Sequence, residues 1–172
     1  INWFTNVNNK IFRRILEIIT GIDTRVILPK YNNKTFTSFA KKNKDEINKL
    51  APGFGRKVVI YSTCFVNYNK KNTGVAALKV LKKNGVDVKN VYPGCCGMPY
   101  FEQADPNKVI EQASKVSMEL LKWINKGYEI VTLTASCGLM LKFEWPLLLP
   151  KDKNIKKISL NIKDIDEYIV EI

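Results

Sequence analysis

The sequence predicts an α/β fold: three layers, with a parallel sheet covered by helices on both faces. Three observations carry this. Short β-branched, apolar runs recur at 57–62, 86–92 and 128–133, long enough for buried strands and too short for helices. Between them lie segments with apolar residues at i+3 and i+4 spacing. The order is therefore β-α-β-α-β-α, and helices of this length imply right-handed crossovers between parallel strands.

Residues 1–56 read as a helical and extended lead-in. In "NKIFRRILEIITG", Ile11, Phe12, Ile15, Leu16, Ile18 and Ile19 fit an amphipathic helix that Gly21 ends in a left-handed cap. "LPKYNNKTFTSFAKKN" reads as an extended loop and a short helical turn, and "APGFGRK" punctuates the chain before the first strand, "KVVIYS". In "NTGVAALKVLKKNG", Val75, Leu78 and Leu81 share one helical face, and Gly85 closes it. "VDVKNVY" is the second strand. Asp105 and Pro106 then form an N-cap and first-turn pair for a long helix with Val109, Ile110, Ala113, Val116, Leu120, Leu121 and Ile124 on its buried face, stopped by Gly127. "YEIVTL" is the third strand, and "CGLMLKFEW" opens a helix that Pro146 is expected to end. Residues 57–150 thus form the main domain, and 151–172 are expected to be an extension leading toward a second one.

With 172 residues, 45% of them hydrophobic, the chain can bury a core of its own. No apolar run reaches the length of a bilayer span, and residues 1–20 lack a secretory leader pattern. A cytoplasmic protein is expected, with or without peripheral association with the cytoplasmic face of a membrane. The first residue is Ile rather than Met, so the sequence is read as a piece of something longer. The net charge of +12 is concentrated in the first 60 residues, which hold twelve basic and four acidic side chains. Its lysines are not interleaved with aromatics, which argues against a specific nucleic-acid site and for a solvated surface or an acidic protein partner. Arg13 and Arg14, on the first helix, are expected to contribute to such a contact.

There is no histidine in the chain, so imidazole bases, His-dependent triads and His-ligated metals are excluded. There are four cysteines, and each follows the end of a predicted strand: Cys64 the first, Cys95 and Cys96 the second, Cys137 the third. In a parallel sheet these positions share the carboxyl edge, where open α/β folds build their sites. Space-filling has no reason to select that edge three times. A disulfide framework is not expected in a cytosolic chain with its own core, and no base is marked to activate a nucleophile. A thiolate-rich metal centre is the best reading, either an iron–sulfur cluster or zinc, with Cys64, Cys95, Cys96 and Cys137 as the ligands. The close C-x-x-C pairs usual in structural zinc sites are missing. Gly94 and Gly97 let the backbone approach the centre and leave N–H groups for its sulfurs.

The stretches "CFVNYNKKNTGVAALKVLKKNGVDV", "CCGMP" and "TASCGLMLKFEWP" resemble the cysteine-rich CCG domain of heterodisulfide reductase B subunits and of related iron–sulfur oxidoreductase subunits, over about residues 58–149. The resemblance implies electron transfer through a cluster, 4Fe-4S by ligand number. The implied role is a component of an oxidoreductase complex, paired with a flavoprotein dehydrogenase or a ferredoxin-like module and passing electrons to quinone or another acceptor. Zinc in a purely structural or interaction domain is the alternative. The family's last C-x-x-C is incomplete here, because Thr134 stands at its first position. The hydroxyl of Thr134 is expected beside the cluster as a hydrogen-bond donor rather than a ligand.

Overall fold

A computed structural model describes residues 2–43 and 45–172 and divides into two compact units, Ile1–Asn33 and Lys34–Ile172. In the first unit, α1 (Lys10–Thr20) ends where the sequence predicts: Gly21 is left-handed at φ 73°, and its N–H donates to the Glu17 carbonyl. Trp3, Phe4 and Phe12 stack with centroids 5.0 Å apart. Arg13 departs from expectation. It is fully buried, and its guanidinium donates to the carbonyls of Asp23, Thr24 and Val26. A guanidinium spent on the loop that returns from α1 is not available to an acidic partner; Arg14 beside it is exposed.

The second unit is a four-stranded, all-parallel sheet with helices on both faces. Its elements follow in order: α2 (Phe36–Lys42), β1 (Lys57–Tyr61), α3 (Cys64–Tyr68), α4 (Lys71–Lys83), β2 (Asp87–Val91), α5 (Met98–Glu102), α6 (Pro106–Ile124), β3 (Glu129–Thr132), α7 (Ala135–Leu139), a π-helical turn (Met140–Glu144), α8 (Trp145–Leu148), α9 (Lys153–Leu160), β4 (Ile162–Asp164) and α10 (Ile165–Val170). The strand order is β2-β1-β3-β4. Alternation along β1 splits the core between two faces. Val58 and Ile60 pack with Phe36, Leu78, Leu81 and Tyr168 on one side, and Val59 and Tyr61 pack with Val116, Leu120, Met140 and Trp145 on the other.

Local signals act as the sequence suggests at Asp105, whose carboxylate accepts the Lys108 N–H at 3.2 Å with Pro106 in the first turn of α6. Two elements differ. Residues 151–172 add α9, β4 and α10 to this sheet, and Ile155, Ile158, Ile162 and Tyr168 fill its core. Pro146 does not end the last predicted helix. The π-helical turn widens the helix just ahead of it, with the Trp145 N–H donating to Met140 five residues back. That opening relieves the clash a proline ring makes with the carbonyl four residues earlier. Among the described residues, no helix is long and apolar enough to cross a membrane.

Candidate metal centre

The order β2-β1-β3 reverses direction at β1, so the crossover through α4 covers one face and that through α6 covers the other. Such a switch point leaves a crevice beyond the carboxyl ends of the strands. Cys64 opens α3 three residues past β1, Cys95 and Cys96 lie in the turn between β2 and α5, and Cys137 sits in α7 five residues past β3. The four predicted positions come together. Cys96 donates to Cys137 with their sulfurs 3.2 Å apart, and Cys64, Cys95 and Cys96 lie near enough to shift one another's titration. All four are free thiols, and 3.2 Å is far beyond a disulfide bond of about 2.05 Å. Cys96 and Cys137 are buried, while Cys64 and Cys95 are half-buried.

The protons on this sulfur chain are shared unequally. Hydrogen bonds from Cys64 and then Cys96, joined by the N–H of Gly97 at 3.5 Å, hold the Cys95 thiol well below its usual range, against the opposing effect of burial. The bond from Cys96 lowers Cys137 likewise. Donation to those sulfurs, together with burial, pushes Cys64 and Cys96 up. The bonds thus bias Cys95 and Cys137 toward the thiolate, with Cys64 and Cys96 as their donors. The thiolate is the form that binds a metal.

The turn that bears the paired cysteines is clamped from both sides. The Tyr61 hydroxyl donates to the Gly94 carbonyl at 2.8 Å, and the Trp145 indole N–H donates to the Cys96 carbonyl at 3.0 Å. Both rings are fully buried. Burial raises the Tyr61 pKa well above the usual value, so the hydroxyl keeps the proton it donates. Gly97, at φ 95°, starts α5 from a left-handed conformation, and a Cβ there would press on Val109 at 3.3 Å. Sequence reasoning missed Tyr61 and Trp145 because their partners are backbone carbonyls more than thirty residues away. The only available signal was a lone hydroxyl among the β-branched residues of a buried strand.

Thr134 caps the start of α7, and its hydroxyl pairs with that of Thr63 at 2.9 Å.

Four soft sulfur donors, all free cysteines, fit an iron–sulfur group in kind and number. Among the described residues, no three His, Cys, Asp or Glu side chains are arranged to hold a single metal ion.

Residues 58–142 match the family profile described as "CCG: Cysteine-rich domain". The chain is similar to the C subunit of anaerobic glycerol-3-phosphate dehydrogenase from Escherichia coli (strain K12), 27% identical over 150 residues, covering 86% of this chain and 37% of that protein. It is 26% identical over 153 residues to the B subunit of fumarate reductase (CoM/CoB) from Methanothermobacter marburgensis, covering 87% of this chain and 28% of the relative. It is 28% identical over 123 residues to lactate utilization protein A of Bacillus pumilus, covering 67% and 49%. The chain thus spans less than half the length of each of these relatives. No solved structure matches.

Proposed function

Because residues 58–142 belong to the cysteine-rich CCG domain family, we propose that this chain holds an iron–sulfur cluster and passes electrons within an oxidoreductase complex. The observation that carries the reading is the convergence of four thiols, drawn from three strand ends, on the carboxyl edge of one parallel sheet. Cys64, Cys95, Cys96 and Cys137 would hold the group, with the 4Fe-4S type favoured by their number. When bound, such a cluster supplies one-electron transfer.

The rest of the work belongs to the chain's own residues. Tyr61 and Trp145 fix the turn through its carbonyls, so that Cys95 and Cys96 are presented without a search through loop conformations. The Gly97 N–H stabilises negative charge on the Cys95 sulfur. The buried Cys96 and Cys137 keep water from one side, and the half-buried Cys64 and Cys95 leave the other open toward a partner. Relatives named as subunits of a dehydrogenase and of a reductase support a redox partner, which we take to be a flavoprotein dehydrogenase or a ferredoxin-like module. Quinone or a second protein carrier is the proposed acceptor, and the cytoplasm the proposed location, with or without peripheral attachment to the membrane.

Anaerobic purification followed by iron, acid-labile sulfide and zinc analysis tests this. Iron and sulfide in equal amounts, with visible absorption that bleaches on reduction, are expected. Stoichiometric zinc in a colourless protein would replace this reading with that of a zinc-stabilised interaction domain.

A further inference from the structure

A groove of about 740 Å³, with no cysteine among its lining residues, runs along the outer edge of β2, which pairs with β1 alone among the described residues. Asp87, Val88, Lys89 and Asn90 all line it. Side chains of consecutive strand residues point to opposite faces, so what these four present in common is backbone. The Asp87 N–H donates to the Arg56 carbonyl, and the Ser62 N–H to the Val91 carbonyl. With the period of two in a parallel ladder, residues 87, 89 and 91 turn their backbone groups toward β1, and Val88 and Asn90 turn theirs outward into the groove.

Two further groups wait there. Trp123 and Asn90 line the groove, and the indole N–H of the one and the side-chain carbonyl of the other are buried with no hydrogen-bond partner among the described residues, while the Asn90 amide nitrogen donates to the Ser62 hydroxyl. Buried polar atoms are paired in the great majority of cases, so an orphan donor and an orphan acceptor on one cavity point to an absent occupant. An edge strand that is merely protected does not need them; Lys89, exposed at the middle of β2, would blunt this edge against casual pairing. Leu78, Ile47 and Ala40 provide apolar footing. Across the groove and the shallower depression that continues it, six lysines face three carboxylates, those of Asp45, Glu46 and Asp87.

The geometry points to a docking site for an extended, acidic peptide segment of a partner protein, which adds to β2 as a fifth strand. Its backbone bonds to the outward N–H and C=O groups of Val88 and Asn90, its side chains engage Trp123 and Asn90, and its carboxylates meet the lysine rim. The site is independent of the cluster, so an iron-free or zinc-loaded chain binds the segment equally well.

The probe is a nine-residue peptide selected from a random displayed library on the immobilised full chain, then synthesised. The selected peptide is expected to be rich in Asp and Glu and to protect the Val88 and Asn90 amides from hydrogen exchange. Asn90→Pro removes an outward N–H at an edge position where proline is tolerated, and should weaken binding about ten-fold or more while the fold is retained. Trp123→Phe should weaken it several-fold. Methylating the peptide's own amides at alternate positions should abolish binding in one phase and leave it intact in the other, a signature that does not depend on any variant of the chain. Failure to enrich a peptide, protection elsewhere, or indifference to both Asn90→Pro and N-methylation would overturn the proposal. So would a concentration-dependent dimer that Asn90→Pro abolishes, which would assign the edge to a second copy of the chain.

Discussion

Thr63 and Thr134 are 71 residues apart in sequence, and their hydroxyls meet at 2.9 Å. Each immediately precedes a helix that carries a cysteine: α3, which opens with Cys64, and α7, which holds Cys137. The Thr63 oxygen also accepts the Val66 N–H, capping α3. One hydroxyl pair therefore ties the loops after β1 and β3 together next to Cys64 in sequence.

Thr134→Val preserves shape and removes this bridge, and should cost about 1 kcal/mol in chemical denaturation. Thr63→Val removes the bridge and the cap together and should cost about 2 kcal/mol. Equal losses would mean that the bridge carries the whole effect and the cap none.

Tyr61→Phe should leave the half-buried Gly94 carbonyl without its donor, at about 1 kcal/mol, and Trp145→Phe should do the same for the buried Cys96 carbonyl, at about 1–3 kcal/mol. A purely structural loss would stop there. Positioning of the turn predicts in addition that Cys96, 1% exposed in the parent, becomes accessible to alkylation in the metal-free chain at denaturant concentrations far below unfolding. Unchanged labelling rates would deny the clamp its role.

Gly74 lies under the Phe36 ring, where a Cβ would meet ring carbons at 2.6 to 2.7 Å. Gly74→Ala should therefore destabilise by about 1–3 kcal/mol despite the better helix propensity of alanine. Adding Phe36→Leu should recover part of that loss; a purely additive double variant would show that the two do not share the space.

At the start of α6, the Asp105 carboxyl is held below its usual range, first by the Lys108 backbone N–H and then by the Lys108 side chain. A carboxylate with a depressed folded pKa stabilises above its unfolded pKa, and that contribution is lost as pH falls through the lower folded value. The melting-temperature gap between the parent and Asp105→Ala should be full at neutral pH and should shrink as the pH falls below the ordinary Asp value of about 3.9. A gap that does not change with pH would mean that the carboxylate charge plays no part in the cap.

The sheet was legible because its signals are local. The strand runs, the Asp105–Pro106 cap and the Gly21 stop each depend on neighbours within a few residues. The convergence of the cysteines followed from strand polarity alone, since any residue just past a parallel strand reaches the same edge. What could not be read depends on distant partners. β4 is three residues long and pairs only because β3 is already in place. Pro146 is accommodated by a π-helical turn that nothing in "CGLMLKFEWP" announces. Arg13 looks like a surface charge until Asp23, Thr24 and Val26 bring their carbonyls over it. Tyr61 and Trp145 bind carbonyls rather than side chains, and carbonyls leave no mark on a sequence.

The proposed cluster site rests on Cys64, Cys95, Cys96 and Cys137 acting together. The decisive measurement is the iron and acid-labile sulfide content of the four single Cys→Ser variants, each purified anaerobically beside the parent and each checked for a cooperative unfolding transition. All four should lose most of their iron and sulfide together while remaining folded. Full iron and sulfide in any one of the folded variants would remove that cysteine from the site and contradict the four-thiolate assignment.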